Sequence, residues 1–223
     1  MQPRNKLGKQ TVNLGNNVSI LSGASVVGQK EYNGPLGGGF DIIMPDNYWD
    51  EKTWEKAESK MQEQAAITAI SKAEKQIGDV DIMLSGDLLN QCTGTSYGLR
   101  SLNLPFYGLY GACSTMAESI SLGAILVDGG YAENAVCGTS SHFCSSERQF
   151  RMPLNYSGQR PPTSQSTVTA AAMAVLSNEG CGPYITHVTI GKIVDKGITD
   201  ALNMGAAMAP GIAIIGPCFF AAI

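Results

Sequence analysis

Cys113 is the residue whose position most suggests chemistry. It follows an apolar run, residues 104–110, that predicts a short buried strand, and it directly precedes a helix predicted over residues 114–128 and closed by Gly129-Gly130. Unpaired N–H groups and the positive dipole end at a helix N-terminus favour negative charge, whether on a thiolate or on a bound carboxylate. Cys113 is therefore a candidate nucleophile or anion-site residue, with a small buried hydrophobe as the structural alternative.

A second group of polar side chains follows the predicted strand at residues 80–84. Asp87, Asn90 and Gln91 come directly after it, which places them at the carboxyl edge where open α/β sheets bind ligands. The same residues could form only a polar turn with an aspartate cap. They are candidate ligand-binding residues.

Histidine and arginine candidates lie further along the chain. His142 comes just past a predicted strand, after two serines, and is a candidate site residue or a satisfied structural histidine. Arg148 and Arg151 flank Phe150, so on a helix or turn both guanidinium groups could face one carboxylate ligand. The alternative is a solvated basic turn that pairs with Glu147.

Composition excludes several classes of protein. The chain has 223 residues, 43% of them hydrophobic and 15% charged, with a net charge of −4 and no basic stripe, which argues against nucleic-acid binding. Six cysteines and two histidines show no metal-ligand spacing, so we predict no metal, no cofactor and reduced thiols in a cytoplasmic setting. No signal peptide is recognisable, and no apolar stretch reaches the roughly 20 residues of a membrane span.

Two motif look-alikes do not carry a function. Residues 94–98 satisfy the G-x-S-x-G hydrolase pattern, but they follow a polar stretch and not a strand. The glycine run at 37–39 lacks the lysine and hydroxyl residue of a phosphate loop. Serine hydrolase and nucleotide-binding functions are therefore not supported.

The elements that must position the candidates alternate between helix and strand. We predict an α/β fold with a mixed, mainly parallel sheet and a buried central helix after Cys113, since Glu118 is the only charged residue of that helix before its last position. The remaining predicted strands span residues 18–27, 135–140 and 184–194, and the remaining predicted helices span residues 51–76 and 166–176.

Several segments together resemble the thiolase and ketoacyl-synthase superfamily, and within it the stage V sporulation protein AD family. The resemblance covers roughly residues 7 to 210, in order. The matching segments are Gly111-Ala112-Cys113-Ser114-Thr115, Asp128-Gly129-Gly130, Ala135 to Ser141, Ser85 to Gln91, Ser140-Ser141-His142, Glu147 to Arg151, Ser166 to Thr169, Asp195 to Asp200 and Asn203 to Pro210.

The resemblance implies a thiolase-like fold and a non-catalytic pocket for dipicolinic acid, pyridine-2,6-dicarboxylate, which spores accumulate. It implies ligand contacts from the candidates named above: Asp87, Asn90, Gln91, Cys113, His142, Arg148 and Arg151. It further implies a homodimer, partnership with other stage V sporulation A membrane proteins, and a peripheral location at the spore inner membrane. Two alternatives remain open: a condensing enzyme or acyltransferase in which Cys113 carries a thioester, and an assembly subunit that merely retains the fold.

The chain departs from the resembled family at its C-terminus. Residues 1–210 resemble the N-terminal half of the superfamily fold, whereas residues 211–223 form an apolar tail without resemblance. A truncated or frame-shifted reading frame is the preferred interpretation, with a genuine short variant as the alternative. On that interpretation the helix after Cys113 lacks part of its cover, and the chain is expected to aggregate.

Overall fold

A computed structural model describes residues 5–150 and 167–195, with 197 and 199, and within these ranges the side chains of 149 and 150 are not described. The eight strands of this part of the chain are β1 Lys6–Leu7, β2 Thr11–Val27, β3 Ile42–Ile43, β4 Ile82–Gly86, β5 Phe106–Gly108, β6 Asn134–Ser141, β7 Ala170–Ser177 and β8 Tyr184–Thr189. Its helices are α1 Gln29–Tyr32, α2 Trp54–Lys72, α3 Thr93–Leu99, α4 Thr115–Asp128 and α5 Phe143–Phe150.

Internal contacts divide the chain into two compact units. The larger unit spans residues 16–185, and the smaller comprises residues 1–15 and 186–223. In the smaller unit β1 pairs antiparallel with the start of β2, and the backbones of Gln10 and Ile190 are joined by an N–H···O bond of 2.9 Å. The boundary between the units falls within β2 and within β8.

The sheet of the larger unit has the order β2-β7-β6-β4-β5, with β3 beside β2. β4 is parallel to both β5 and β6, whereas β7 is antiparallel to β6 and β2. The predicted α/β fold with a mixed sheet is confirmed. The three parallel strands end at one edge of the sheet, so the loops that follow them are neighbours.

Helix α2 covers one face of this sheet and forms the main core. Thr53 caps it, since its hydroxyl accepts a hydrogen bond from the Lys56 N–H at 3.3 Å. Its buried stripe packs against β6 and β7. Half of the residues in this stripe are alanine, which allows helix and sheet to approach closely; its apolar members include Ala57, Met61, Ala65 and Ala69.

Helix α4 packs on β4 and β6 through a narrow stripe of small residues. Ser119, Gly123 and Val127 are buried there, and a Cβ at Gly123 would overlap the Cys137 sulfur. Its other side is half-buried or exposed, with Leu122 at 39% exposure. The prediction that this helix is buried nearly all round is therefore wrong for the part of the chain described, since only the stripe facing the sheet has neighbours that cover it.

The prediction of a helix over residues 166–176 is also wrong, because Ala170–Ser177 is strand β7. Its Ala-Ala-Ala-Met-Ala-Val-Leu run favours a helix by propensity, but the strand lies between β2 and β6 and is buried on both faces. Such central strands read as continuous apolar runs and are not distinguishable from a buried helix by periodicity.

The predicted buried strand at residues 104–110 forms only over Phe106–Gly108, and its residues are exposed because β5 is the edge strand of the sheet. The predicted domain boundary at residue 210 and the tail 211–223 lie outside the described residues. None of the described helices is both long and apolar enough to cross a membrane.

The crossing of α2 and α3 yields a test of the packing. Gly98 of α3 lies so close to the Ser59 carbonyl oxygen that a Cβ would overlap it, so Gly98→Ala should lower the free energy of unfolding by about 1–3 kcal/mol. Gly78 provides the control, because an added Cβ there has no heavy atom within 4 Å. Gly78→Ala should leave the free energy of unfolding unchanged. Urea unfolding measures the free energy of unfolding of both variants. Equal losses in Gly98→Ala and Gly78→Ala would contradict the close packing of α3 on α2.

Candidate functional site

The candidate site lies where the loops after β4, β5 and β6 meet at the carboxyl edge of the parallel strands. Their approach depends on Gly86, the last residue of β4, because any side chain there would overlap the Leu109 carbonyl oxygen. Asp87, Asn90 and Gln91 lie on the first loop, Cys113 lies on the second, and His142 lies on the third.

The loop after β5 presents Cys113 to solvent in front of α4. Cys113 is exposed, within a short 3-10 turn over Ala112–Ser114, and α4 begins at Thr115. Ala112 has a φ of 48°, in the left-handed region that non-glycine residues rarely adopt. The predicted location of Cys113 at a helix N-terminus is confirmed, and the alternative of a small buried hydrophobe does not hold here.

The loop after β4 is joined to the Cys113 loop by two hydrogen bonds. The Tyr110 hydroxyl donates to Asn90 Oδ1 at 3.0 Å, and the Cys92 thiol donates to the Leu109 carbonyl oxygen at 3.1 Å. Gln91 and Cys92 both have positive φ, 61° and 53°, so the turn is strained. Burial, followed by the nearby Asp87 charge, raises the pKa of the Cys92 thiol.

Three predicted residues are thereby brought together as an exposed set, Asn90, Gln91 and Cys113, to which the structure adds the exposed Tyr110. We call these four residues the site mouth. Tyr110 was missed because the apolar run before Cys113 was interpreted as buried strand throughout. The hydroxyl group of this tyrosine, at the end of the apolar run, was the feature of the sequence that could have indicated its exposure.

Asp87 lies beneath the site mouth and holds its loop. It is buried, and its Oδ1 accepts from the Leu89 N–H at 2.7 Å. Its Oδ2 accepts from the Thr95 N–H at 2.6 Å and from the Thr95 hydroxyl. Both carboxylate oxygens are therefore bonded to the loop and to α3, and the geometry is that of the capped turn considered as the alternative.

His142 is fully buried with both ring nitrogens occupied. Nε2 lies 2.8 Å from the Asn47 carbonyl oxygen, and Nδ1 accepts the Cys144 N–H at 3.2 Å. Because a carbonyl only accepts, Nε2 carries the proton and the ring is neutral. Burial lowers the pKa of His142, which keeps this form at neutral pH.

Arg148 contacts α2. Its guanidinium forms an ion pair with Glu55 Oε1 and stacks over the Trp54 ring, 5.2 Å from the ring centroid. The side chain is about half exposed. Arg151, the second predicted arginine, lies outside the described residues, so the predicted pair is represented by Arg148 alone.

A buried polar cluster beneath the loops was not predicted. Glu58 of α2 has no exposed surface; its Oε1 accepts from the Ser140 hydroxyl at 2.8 Å and its Oε2 accepts from the Ser145 hydroxyl at 2.9 Å. Burial, followed by the Asp87 charge, raises the pKa of Glu58 to about 7. A carboxylate within a helix pattern is typical of a solvated face, so the sequence offered no signal for it.

Gln62, one turn after Glu58, connects the two buried carboxylates. Its Nε2 donates to the Ser140 hydroxyl at 2.7 Å and to the Thr95 hydroxyl at 2.8 Å. Ser140 in turn donates to Glu58, and Thr95 donates to Asp87. Two hydrogen-bond chains therefore start from one amide and end on the two carboxylates, which fixes the base of the site.

The cysteines provide a test of this arrangement. Cys113 and Cys181 are exposed, whereas Cys137 is buried and its burial raises its pKa to about 12. With iodoacetamide at pH 8, Cys113 and Cys181 should be alkylated first and Cys137 only after unfolding, as followed by peptide mass spectrometry. Cys181 serves as the internal reference. Protection of Cys113, or alkylation of Cys137 at the rate of Cys181, would contradict the structure.

Comparison with known proteins gives relatives over nearly the whole chain. The sequence profile of "Stage V sporulation protein AD" matches residues 8–219. Stage V sporulation protein AD of Bacillus subtilis (strain 168) is 43% identical over 206 residues, which covers 92% of this chain and 61% of that protein. The chain thus spans about three fifths of the length of this relative.

Solved structures align with this chain at low identity. Xanthomonas campestris OleA H285N aligns with a TM-score of 0.50 and 16% identity, over 72% of this chain and 56% of that one. The 3-oxoacyl-[acyl-carrier-protein] synthase III of Aquifex aeolicus VF5 aligns with a TM-score of 0.49 and 12% identity, over 72% and 53%. With its thiolase-like α/β fold, the chain belongs to the stage V sporulation protein AD family.

Proposed function

We propose that this sporulation protein is a non-catalytic binding protein for dipicolinic acid and supports its uptake into the developing spore. The observation that carries the proposal is the exposed site mouth in front of α4. A dianion whose two carboxylates flank an aromatic ring suits the N–H groups at a helix N-terminus, with the Asn90 and Gln91 amides and the Tyr110 ring beside them.

The state of His142 supports binding over turnover. A condensing reaction at Cys113 requires a base within hydrogen-bond reach of the thiol or substrate. His142 is neutral, fully buried and bonded at both nitrogens to backbone groups. Serving as that base would require breaking a backbone bond, whereas a binding site needs only donors.

Electrostatics decides how Arg148 takes part. Glu58 and Asp87 are buried beneath the loops, so a bound dianion needs positive charge from elsewhere. The Arg148 guanidinium already forms an ion pair with Glu55. We propose that a ligand carboxylate replaces the Glu55 carboxylate as the partner of Arg148, since guanidinium groups bind either carboxylate in the same way. The predicted Arg151 would join it.

The proposed assembly uses the sheet edge. Among the described strands β5 pairs with β4 alone, and Phe106 and Tyr107 on it are exposed at 38% and 58%. A second copy could pair along this edge to form the homodimer. Other stage V sporulation A membrane proteins are the proposed partners, with this chain peripheral at the spore inner membrane and without a role in nucleic-acid binding.

One observation favours a second candidate, a Cys-dependent acyltransferase. Cys113 is exposed at a helix N-terminus and follows Ala112 in a strained backbone conformation, and such strain clusters at active sites. In that case Cys113 would attack an acyl thioester, take the acyl group and release the thiol. The acyl-enzyme would appear by intact-protein mass spectrometry.

Calorimetric titration with dipicolinate tests the binding proposal. Arg148→Ala should weaken binding about tenfold, as expected for a lost charge-assisted contact, and Glu55→Gln should strengthen it because the competing carboxylate is removed. Cys113→Ala should change the affinity only modestly. Arg100→Ala is the control, since the Arg100 guanidinium stacks on Tyr97 and is not one of the proposed ligand contacts.

Two results would overturn the proposal. One is the absence of binding heat with either this chain or the Bacillus subtilis relative, in samples shown to be folded by cooperative thermal unfolding. The other is an acyl adduct after incubation with acyl thioesters that disappears in Cys113→Ala, which would establish the acyltransferase instead. Isophthalate, which lacks the ring nitrogen, is the matched ligand control.

A further inference from the structure

Glu58 lies where the elements of the candidate site meet. It projects from α2 into the base of the site, and its two oxygens bond to Ser140, near the end of β6, and to Ser145, in the first turn of α5. These two serines bracket His142. The first turn of α3 lies on its other side together with Asp87 of the loop after β4, because a Cβ at Gly94 would be in contact with both the Glu58 and the Asp87 carboxyl groups.

The hydrogen bonds around Glu58 accommodate the carboxyl group in two protonation states. When it is charged, Ser145 donates to Oε2 at 2.9 Å. When it is neutral, Glu58 can donate to the Ser145 oxygen, whose own proton then turns to the His142 carbonyl oxygen at 3.1 Å. The change requires only the rotation of one hydroxyl proton, with no movement of heavy atoms.

We propose that Glu58 is the positioning residue of the candidate site, and that gain or loss of one proton on its carboxyl group sets how firmly the β6–α5 turn and the β4–α3 loop are held. The role is structural, since Glu58 has no exposed surface with which to touch a ligand. It concerns the support of the site and does not depend on which ligand is bound.

The charges that face Glu58 determine the direction of the effect. Asp87, on the loop after β4, is the charged group whose field acts on it, and its repulsion adds to the cost of burial. On the β6–α5 side, His142 is neutral, and α5 carries Glu147 and Arg148, the latter paired with Glu55. From α3, Thr95 is directed to Asp87. Among the described residues named here, none provides a positive charge that offsets a negative charge on Glu58.

The sign follows from the difference between the closed and the opened site. The pKa of Glu58 is about 7 when it is buried and has an ordinary value of 4.5 when it is hydrated. The closed state therefore binds more protons, and its stability is full below pH 4.5 and declines as the pH rises through 7. From pH 5.5 to 8.5 these two values predict that opening becomes about thirtyfold more favourable.

Amide hydrogen exchange followed by mass spectrometry tests this on the unmodified chain. Peptides covering residues 85–99 and 138–148 should lose about thirtyfold of their protection between pH 5.5 and 8.5, after correction for intrinsic exchange. In Glu58→Gln, which keeps the shape but cannot ionise, the same peptides should show no such loss. Glu63→Gln, on the same helix and bonded to Ser101, is the matched control and should behave like the parent chain.

A second variant keeps the proposal open to test if Glu58→Gln does not fold. Ser145→Ala removes a hydrogen-bond donor that favours the charged form of Glu58. The pH midpoint at which protection from amide exchange is lost should therefore shift upward. The proposal is overturned if Glu58→Gln retains the pH dependence, if the parent shows none, or if Ser145→Ala leaves the midpoint unchanged. Equal changes in the α4 peptide, residues 115–128, would show global unfolding and also overturn it.

Discussion

Parallel pairing of β4 with both β5 and β6 is the constraint on which the rest of the larger unit depends. It brings three loops to one edge of the sheet, and Gly86 allows the first two of them to touch. Side chains separated by more than fifty positions in the sequence, such as Asn90 and His142, thereby come to belong to one region. Beneath them, Gln62 connects two buried carboxylates, so the polar base and the exposed mouth form two layers of one site.

Much of this arrangement could be predicted from the sequence, but unevenly. Two patterns were sufficient to predict the edge at which the site lies: the helix after Cys113, with Glu118 as its only charge before its last residue, and the short apolar run before Asp87. The burial of Asp87 and His142 could not be predicted, because it depends on Thr95 and Asn47, which lie on other elements. Strand β7 was mistaken for a helix because its alanines favour helix locally, while its neighbours β2 and β6 impose an extended conformation.

The two layers separate the chemistry of the site from its support. Exposed groups at the mouth, Asn90, Gln91, Tyr110 and Cys113, are able to meet a ligand, whereas Asp87, His142 and Glu58 have their polar atoms bonded internally. What these side chains can do depends on which nitrogen or sulfur remains accessible. Cys113 is accessible, whereas His142 is not.

The contact of α4 with β6 has a consequence for how this family can vary. Gly123 has no side chain where the Cys137 sulfur lies, so the two positions share one volume. A larger residue at position 123 would therefore require a smaller one at position 137. Positions 123 and 137 should therefore show correlated substitutions among relatives, although one lies on a helix and the other on a strand.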